Sequence, residues 1–306
     1  MDSKKIVVLG SCNTDMVVKS DRLPVPGETI LGGTFFMNPG GKGANQAIAA
    51  ARLGGNVTFI AKTGNDLFGR QSVKQYEEEG LDTSYILSDP NFPSGVALIS
   101  VDRNGENCIV VASGANMTLC SEDINNAESA IGSADILLMQ LEIPIETVEY
   151  VAEIASAKGI RVILNPAPAQ SLSNSLLKNL YMLIPNKSEA EILSGIKVAD
   201  WDSARKAAQI ISAKGVDKVV ITLGSQGALL KDGDTFHEIP AQKVDAVDTT
   251  AAGDTFCGAI TVAISEGAKL VDAVKFASEC AAITVTKMGA QSSIPFRKEV
   301  EFKSKN

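Results

Sequence analysis

Short β-rich apolar runs alternate with helix-type segments along most of the chain, and this alternation constrains the fold more than any other feature. The predicted strands cover residues 4–10, 56–62, 136–140, 161–165, 182–185 and 218–223, and the first predicted helices cover residues 41–53, 68–79 and 144–158. A strand–helix–strand repeat lays successive strands side by side and puts helices on the faces of the sheet. The pattern therefore predicts an α/β fold with a mostly parallel central sheet flanked by helices. The 306 residues are enough for one large domain of this kind, and we predict that residues 1–306 form it.

Two segments interrupt the alternation. Residues 14–36 contain short β-type runs separated by Pro24 and by Pro26-Gly27, and residues 94–111 have the pattern of a hairpin that turns at 102–105. Both lie between elements of the predicted core, so we predict that they form a small β-sheet that covers a ligand as a lid. Its exposed strand edges also favour pairing with a second copy of the chain, which predicts a homodimer. The alternative is a hairpin without a function.

Composition excludes several classes of protein. The net charge is −8 and there is no basic stripe, which argues against a nucleic-acid partner. The only histidine is His237, which argues against Ser-His-Asp hydrolases and multi-histidine metal sites. The five cysteines are scattered and odd in number, as is typical of reduced thiols in a cytoplasmic protein. The first apolar run is too short for a signal peptide or a membrane span, so no membrane partner is predicted.

The strongest local signal is the segment 248–256, which reads Asp-Thr-Thr-Ala-Ala-Gly-Asp-Thr-Phe. It follows a predicted strand at 242–247 and precedes an apolar helix. The small residues 251–253 let a ligand approach the backbone, and their N–H groups at a helix start favour anions. Asp254 at the mouth of this anion hole could take a proton from a hydroxyl that attacks a phosphoryl group. The alternative is that Asp254 only caps the helix.

A glycine-rich loop at residues 38–46 opens the first predicted helix and offers further free N–H donors. It is not a P-loop, because Lys42 is followed by Gly43 and not by Ser or Thr. The chain also lacks the G-x-G-x-x-G fingerprint, which argues against a dinucleotide-dependent dehydrogenase. An ordinary tight strand–helix turn is the alternative for this loop.

Asn13 and Asp15 follow the first predicted strand, where open α/β sheets bind their ligands. They are two residues apart, so they face one side of an extended chain, and an amide with a carboxylate suits sugar hydroxyls. An Asx-type turn is the alternative. Weaker signals of the same kind follow three later predicted strands, at 140–142, 185–189 and 222–227.

These groups, in this order, resemble the ribokinase-like carbohydrate kinases from the first strand to Pro295. The segments 40–46 and 248–256 match the two signatures of that family, while the Asn13-x-Asp15 pair and the phrases at 138–142 and 165–169 lean toward its ribokinase branch. The resemblance implies ATP-dependent phosphorylation of D-ribose at O5, with Mg²⁺ and K⁺ as cofactors. Alternatives are a sister kinase that acts on 2-deoxyribose, another small sugar or a nucleoside, and a non-catalytic sugar-binding regulator. The regulator is the weaker alternative because Asp254 and the glycine loop are both retained.

The resemblance also implies a role for individual residues. Asp254 would be the general base. The sugar would be held by Asn13, Asp15, Gly41, Lys42, Gly43, Asn45, Glu142 and Asp254. ATP would be held by Asn186, Thr222, Leu223, Gly224, Ser225, Gln226, Gly227, Gly253, Asp254 and Ser278. K⁺ would be held, partly through backbone carbonyls, by Asp248, Thr250, Thr284, Lys287, Gly289 and Ser293, and Glu189 would organise Mg²⁺ through water. One departure is Ala251, where many members of the family have glycine.

Overall fold

Strands and helices alternate through the computed structural model, which describes residues 4–303. The strands are β1 (Lys5–Leu9), β2 (Asn13–Lys19), β3 (Thr34–Gly40), β4 (Asn56–Gly64), β5 (Asp82–Asp89), β6 (Gly95–Val101), β7 (Asn107–Ala112), β8 (Ile136–Met139), β9 (Arg161–Leu164), β10 (Met182–Leu183), β11 (Lys218–Thr222), β12 (Gly227–Asp232) and β13 (Thr235–Pro240). The helices are α1 (Lys42–Arg52), α2 (Leu67–Glu78), α3 (Ser121–Asn126), α4 (Glu128–Gly132), α5 (Ile145–Ala157), α6 (Asn174–Lys178), α7 (Lys187–Ser194), α8 (Trp201–Ser212), α9 (Ala252–Ser265), α10 (Leu270–Thr284) and α11 (Arg297–Lys303).

A nine-stranded sheet forms the centre of the fold, in the order β13-β12-β11-β10-β9-β8-β1-β4-β5. The strands from β5 to β11 are parallel, and the hairpin of β12 and β13 adds two antiparallel strands at one end. The prediction of an α/β fold with a mostly parallel, helix-flanked sheet is therefore confirmed.

Both faces of this sheet are buried. Along β1, Ile6 and Val8 pack into a core that includes α1, α9 and α10, whereas Val7 and Leu9 pack into a second core that includes α5 and α8. Burial on both sides explains why the central strands are continuous apolar runs. Because the strands are parallel, the polar residues that follow them gather along one edge of the sheet, the carboxyl edge.

A separate four-stranded sheet, in the order β3-β2-β6-β7, confirms the predicted small β-sheet. β2 is antiparallel to β3 and parallel to β6, and β6 is antiparallel to β7. We call this four-stranded sheet the lid. One consequence of its register is that Asn13, at the start of β2, lies opposite both Gly40 and Gly95.

One predicted strand is wrong. Residues 242–247 join β13 to α9 without pairing in either sheet. Instead, the N–H groups of Val247 and Asp248 both donate to the carbonyl of Val285, just beyond α10. The β-type residues of this segment thus satisfy their backbone against the end of a helix. In residues 4–303, no helix combines the length and the apolarity needed to cross a membrane.

Candidate active site

The carboxylate of Asp254 lies in the first turn of α9 and is only 7% exposed. Its Oδ2 accepts from Nδ2 of Asn45, and its Oδ1 accepts from Nε2 of Gln46, both at 2.9 Å. The helix begins after Ala251 without a side-chain cap, so the alternative that Asp254 serves as its cap does not apply. Two amides from α1 therefore fix the plane of this carboxylate, and each oxygen keeps a further lone pair.

Further buried amides hold Asn45 and Gln46 in place. Nε2 of Gln46 also donates to Oδ1 of Asn165, and its Oε1 accepts from Nε2 of Gln140 at 2.6 Å. Oδ1 of Asn45 accepts from Nε2 of Gln291 at 3.1 Å. Sequence analysis included Gln140 in the weak strand-end signal at 140–142 without giving it a role, and it did not assign Gln46, Asn165 or Gln291 to the site. The same strand-end signal could have found Asn165, which directly follows the buried strand β9 as Gln140 follows β8.

Glu142 is held by the loop that follows β1 and by the start of α1. Its Oε2 accepts from the hydroxyl of Ser11 at 2.6 Å and from the backbone N–H of Lys42 at 2.9 Å. The Ser11 hydroxyl oxygen in turn accepts from the N–H of Gly43 at 3.3 Å. The structure thus joins the strand-end segment to the glycine loop, and it leaves Oε1 of Glu142 available to a ligand.

Asp15 lies on β2 with its carboxylate packed over Gly40. A Cβ at position 40 would lie 2.3 Å from the nearest oxygen of Asp15, so a side chain there would displace this carboxylate. Burial raises the pKa of Asp15 to about 6, helped by the nearby negative charges of Glu142 and Asp254 and opposed by Lys42. These four charged groups therefore share one poorly solvated region.

Lys42 is the positive charge in this region. Its pKa lies above the usual value, chiefly because of Asp254 and then because of Glu142 and Glu189, so it stays protonated. Burial raises the pKa of Glu189 as well. An ammonium group among carboxylates can attract a phosphate, while the carboxylates can accept from hydroxyl groups. The arrangement suits a neutral polyol beside an anion.

A cavity of about 1470 Å³ lies beneath the lid. Asp15, Val17 and Phe36 line it from the lid, and residues 246–250 and 288–290 line it from the body of the protein. Among the predicted sugar-binding residues, Asp15 lines this cavity directly. Gly41, Lys42, Gly43, Asn45 and Glu142 lie in the contact network that joins the glycine loop to Asp254.

A second pocket, of about 570 Å³, lies beside α9 and α10. Of the predicted ATP-binding residues, those that line it are Thr222, Gly224, Ser225, Gly227, Gly253 and Ser278. Leu223 packs into the core instead, and Asn186, Gln226 and Asp254 lie outside the lining. Asn186 forms a β-bridge with Thr222, which keeps it next to the pocket. The lining also includes Gln242, Lys243 and Val244. These residues were not predicted to bind a ligand, because the segment 242–247 was predicted to be a strand.

The two cavities share Ala246 and Thr249. The segment that separates them runs directly into Asp254. At Gly253, an added Cβ would meet no other atom within 4 Å, so the space in front of this loop is open. The first-turn N–H groups of a helix have no partner within it. The N–H of Ala252 donates to the carbonyl of Thr249 at 3.3 Å, and Ala252 and Gly253 both line the second pocket. This geometry suits the transfer of an anionic group from one pocket to the other.

Of the predicted K⁺ ligands, the structure brings together Asp248, Thr250 and Gly289. Oδ1 of Asp248 accepts from the N–H and the hydroxyl of Thr250, and its Oδ2 accepts from the N–H of Gly289 at 2.9 Å. The ammonium of Lys287 pairs with Glu299 at 2.7 Å, so only its backbone could serve as a ligand.

The hydroxyls of the remaining K⁺ candidates are used within the protein. Thr284 donates to Thr255 or to the carbonyl of Cys280, and Ser293 donates to the carbonyl of Ala290. The predicted set offers oxygen donors alone, which fits a hard cation. Across residues 4–303, no group of three or more His, Cys, Asp or Glu side chains could hold a metal.

Glu189 forms a capping box with Asn186 at the start of α7. Its Oε2 accepts from the N–H of Asn186 at 2.7 Å, and its Oε1 accepts from the amide of Asn186 at 2.8 Å. The side chain is 5% exposed and lies within electrostatic reach of Lys42 and Asp254. The structure therefore gives Glu189 a structural role and a position near the other charges of the site.

Replacing Ala251 with Gly is expected to raise the free energy of unfolding by at most about 1 kcal/mol and to leave kcat within about threefold. Ala251 has a φ of 60°, the left-handed region that favours glycine, and among the described residues it is the one non-glycine with a positive φ. Ala251→Val should instead cost stability and kcat, because a β-branched side chain is poorly tolerated there. Urea unfolding and steady-state kinetics of both variants test this. If Ala251→Val equals the wild type in stability and in kcat, the backbone constraint at this position is contradicted.

Comparisons with known proteins agree with this geometry. The sequence pattern described as "pfkB family carbohydrate kinase" matches residues 3–297. The ribokinase of Haemophilus influenzae is 46% identical over 296 residues, which cover 97% of each chain. The deoxyribokinase of Salmonella typhi is 38% identical over 291 residues, which cover 95% of each chain. A solved structure of Arabidopsis thaliana ribokinase in complex with ribose and ATP superimposes with a TM-score of 0.91 at 32% identity, covering 99% of this chain and 98% of the other.

Proposed function

Since the chain belongs to the pfkB family of carbohydrate kinases, and is thus a phosphotransferase with an alcohol group as acceptor, we propose that it transfers the γ-phosphoryl group of ATP to O5 of D-ribose. The observation that carries this proposal is the position of Asp254, a buried carboxylate in the first turn of α9. It directly follows Gly253 of the second pocket and stands four residues after Thr250 of the lid cavity. Ribose would occupy the cavity under the lid, and ATP would occupy the pocket beside α9 and α10.

In the proposed reaction, Asp254 accepts the proton of the primary hydroxyl as that oxygen attacks the γ-phosphorus. The bond from the γ-phosphorus to the bridging oxygen breaks in line with this attack, and its electrons stay on ADP. The N–H groups of Gly253 and Asp254 stabilise the charge on the transferring group, and the ammonium of Lys42 adds a positive charge nearby. Asp254 can do this without releasing Asn45 or Gln46, because its second lone pairs remain open.

Sugar hydroxyls would be held by Asn13, Asp15 and Glu142, and by the glycine loop at residues 41–45. Mg²⁺, when bound, would offset the charge of the phosphates, and Glu189 would organise its water. K⁺, when bound at Asp248 and the neighbouring backbone carbonyls, would order the segment that precedes the anion hole. The hydroxyl oxygen of Thr250 beside the carboxylate of Asp248, and the position of Glu189, support these assignments.

We also infer that two copies of the chain pair through the lid. The lid exposes large apolar side chains, among them Phe35 at 59%, Leu98 at 53% and Val110 at 67%. Monomeric proteins rarely expose so many large apolar groups together, and β3 and β7 are open edges. A cytoplasmic location and one domain over residues 1–306 stay predictions of the same proposal.

The function is tested by following ADP release with ATP and a panel of ribose, 2-deoxyribose, fructose and adenosine, with and without K⁺. We expect ribose to give the highest kcat/KM, and K⁺ to raise it. The match to a deoxyribokinase makes 2-deoxyribose the second candidate substrate. A higher kcat/KM for it would reassign the acceptor, and sugar binding without any ADP release would favour the regulator.

The affinity for ribose is expected to fall as the pH drops through about 6, by up to about tenfold for each pH unit below it. The pKa of Asp15 is raised, so Asp15 is protonated below that pH, and a protonated carboxyl loses acceptor capacity for sugar hydroxyls. The groups facing it are Glu142, Asp254 and Lys42, of which Lys42 stays charged throughout.

Isothermal titration of ribose between pH 5 and pH 8 measures this affinity without interference from changes in kcat. The matched control is Asp15→Asn, which cannot titrate and should bind ribose more weakly but with a flatter pH dependence. Equal pH profiles for this variant and the wild type would contradict the assignment of Asp15.

A further inference from the structure

Asn116 lies where two strands of the lid join the body of the protein. It belongs to a short 3₁₀ helix, Gly114–Thr118, that follows β7, and it is only 1% exposed. Its Oδ1 accepts from the N–H of Cys12 at 2.9 Å. Its Nδ2 lies within hydrogen-bonding distance of the carbonyl of Cys12 at 3.1 Å, of Oδ1 of Asn13 at 2.8 Å and of the carbonyl of Ser113 at 3.0 Å. One side chain thus connects the entry to β2 with the exit from β7.

The polarity of these contacts fixes the orientation of Asn116. A backbone N–H can only donate and a backbone carbonyl can only accept, so Cys12 and Ser113 determine which end of the amide is oxygen. The amino group of Asn116 therefore faces Asn13, and Asn13 must present its oxygen in return. The amino group of Asn13 is left pointing away from Asn116, and no acceptor contacts it among residues 4–303.

Gly95 closes the remaining space around this pair. A Cβ at position 95 would lie 2.1 Å from Oδ1 of Asn13 and 2.4 Å from Nδ2 of Asn116. Gly95 is the first residue of β6 and lies opposite Asn13 in the register of the lid. The side-chain amides of Asn13 and Asn116 are therefore packed tightly against the backbone of β6, and this packing restricts Asn13 to few orientations.

We propose that Asn116 is a positioning residue for sugar binding, which holds Asn13 so that its amino group donates to a hydroxyl oxygen of the sugar. This inference rests on the proposed function, in which Asn13 contacts the sugar. Asn116 acts through Asn13, so its loss should weaken sugar binding without a matching loss of ATP binding or of the chemical step.

A double-mutant cycle tests this, with Asn116→Ala, Asn13→Ala and the double variant. We expect Asn116→Ala to raise the KM for ribose about tenfold, while kcat and the KM for ATP change by less than about threefold. When Asn13 is already alanine, adding Asn116→Ala should raise the KM for ribose by less than about twofold. A merely structural role would produce the same further change in both backgrounds.

Thr118→Val is the matched control, because Thr118 belongs to the same 3₁₀ helix and bonds to Asp89 and to the carbonyl of Ala115 without contacting Asn13. It should leave the KM for ribose unchanged. If Asn116→Ala does not fold, the cycle is run with Asn116→Asp, which keeps the acceptor for the Cys12 N–H. This second variant sets an oxygen against Oδ1 of Asn13, so the KM for ribose should still rise.

The wild type is assayed first. If it does not turn over ribose, that result contradicts the proposed function but not the role of Asn116. The cycle is then run with whichever sugar of the panel supports turnover. Equal effects of Asn116→Ala in both backgrounds, or an equal rise in the KM for ATP, would overturn the role of Asn116 and leave the proposed function standing.

Discussion

Asp254→Asn is expected to lower kcat by about 10²–10⁴-fold and to leave ribose affinity largely unchanged. Asparagine has the shape of aspartate and keeps one oxygen that can accept from Asn45 or Gln46. It cannot take a proton from the sugar hydroxyl, so the loss should fall on the chemical step. Steady-state kinetics give kcat, and isothermal titration of ribose gives the affinity.

The matched control is Asp200→Asn. Asp200 caps α8 through a hydrogen bond from the N–H of Ser203, and asparagine caps a helix about as well as aspartate. This variant changes the same functional group away from the site, so its kcat should equal that of the wild type. Near-full activity of Asp254→Asn would show that another group acts as the base.

The second large effect is expected for Gly258→Ala, which adds one methyl group. This variant should lower the free energy of unfolding by about 1–3 kcal/mol and also reduce kcat. A Cβ at this position of α9 would lie 2.6 Å from Cβ of Ala49, 2.8 Å from the carbonyl oxygen of Gln46 and 2.9 Å from the backbone nitrogen of Ala50. Two of these atoms belong to the backbone of α1, so relief requires the helix itself to move. Asn45 and Gln46 would move with it and loosen their hold on Asp254.

Gly132→Ala provides the comparison. Gly132 is also helical, but an added Cβ there would meet only the end of the Lys158 side chain, at 3.4 Å, which can move aside. Alanine is the better helix former, so stability should stay the same or rise slightly. Urea unfolding of both variants measures the difference, and kcat is measured beside it. A Gly258→Ala protein as stable and as active as the wild type would contradict the close packing of α1 on α9.

Much of the fold could be predicted because its signals are local. Apolar runs such as residues 4–10 and glycine stops such as Gly54 mark strand and helix boundaries within a few residues. The order of strands in the sheet depends on packing between distant elements, which no local pattern reveals. The strand predicted at 242–247 was wrong for the same reason, since its residues suit a strand but its backbone bonds to the residue just beyond α10.

In the candidate site, too, residues with a local sequence signal could be predicted, and residues that are positioned by distant contacts could not. Asp254, Asp15 and Glu142 follow strands or open a helix, and the structure brings them into one electrostatic region. Of the two amides that hold Asp254, the resemblance implied Asn45 but gave no role to Gln46. Gln291, which holds Asn45, could not be recognised, because a single glutamine carries no pattern that distinguishes it from a surface residue. Gln291 reaches the site only because the turn after α10 returns beside α1. Asn116 is similar, since its role follows from the polarity of three backbone groups that only the folded chain assembles.

A crystal structure with ribose and a non-hydrolysable ATP analogue is the most direct test of Asp254 as the base. We expect a carboxylate oxygen of Asp254 within about 2.6–3.2 Å of the primary hydroxyl oxygen of the sugar, with the terminal phosphate against residues 252–254. If ribose lies elsewhere under the lid, with its primary hydroxyl beyond the reach of Asp254, the assignment of the base is wrong.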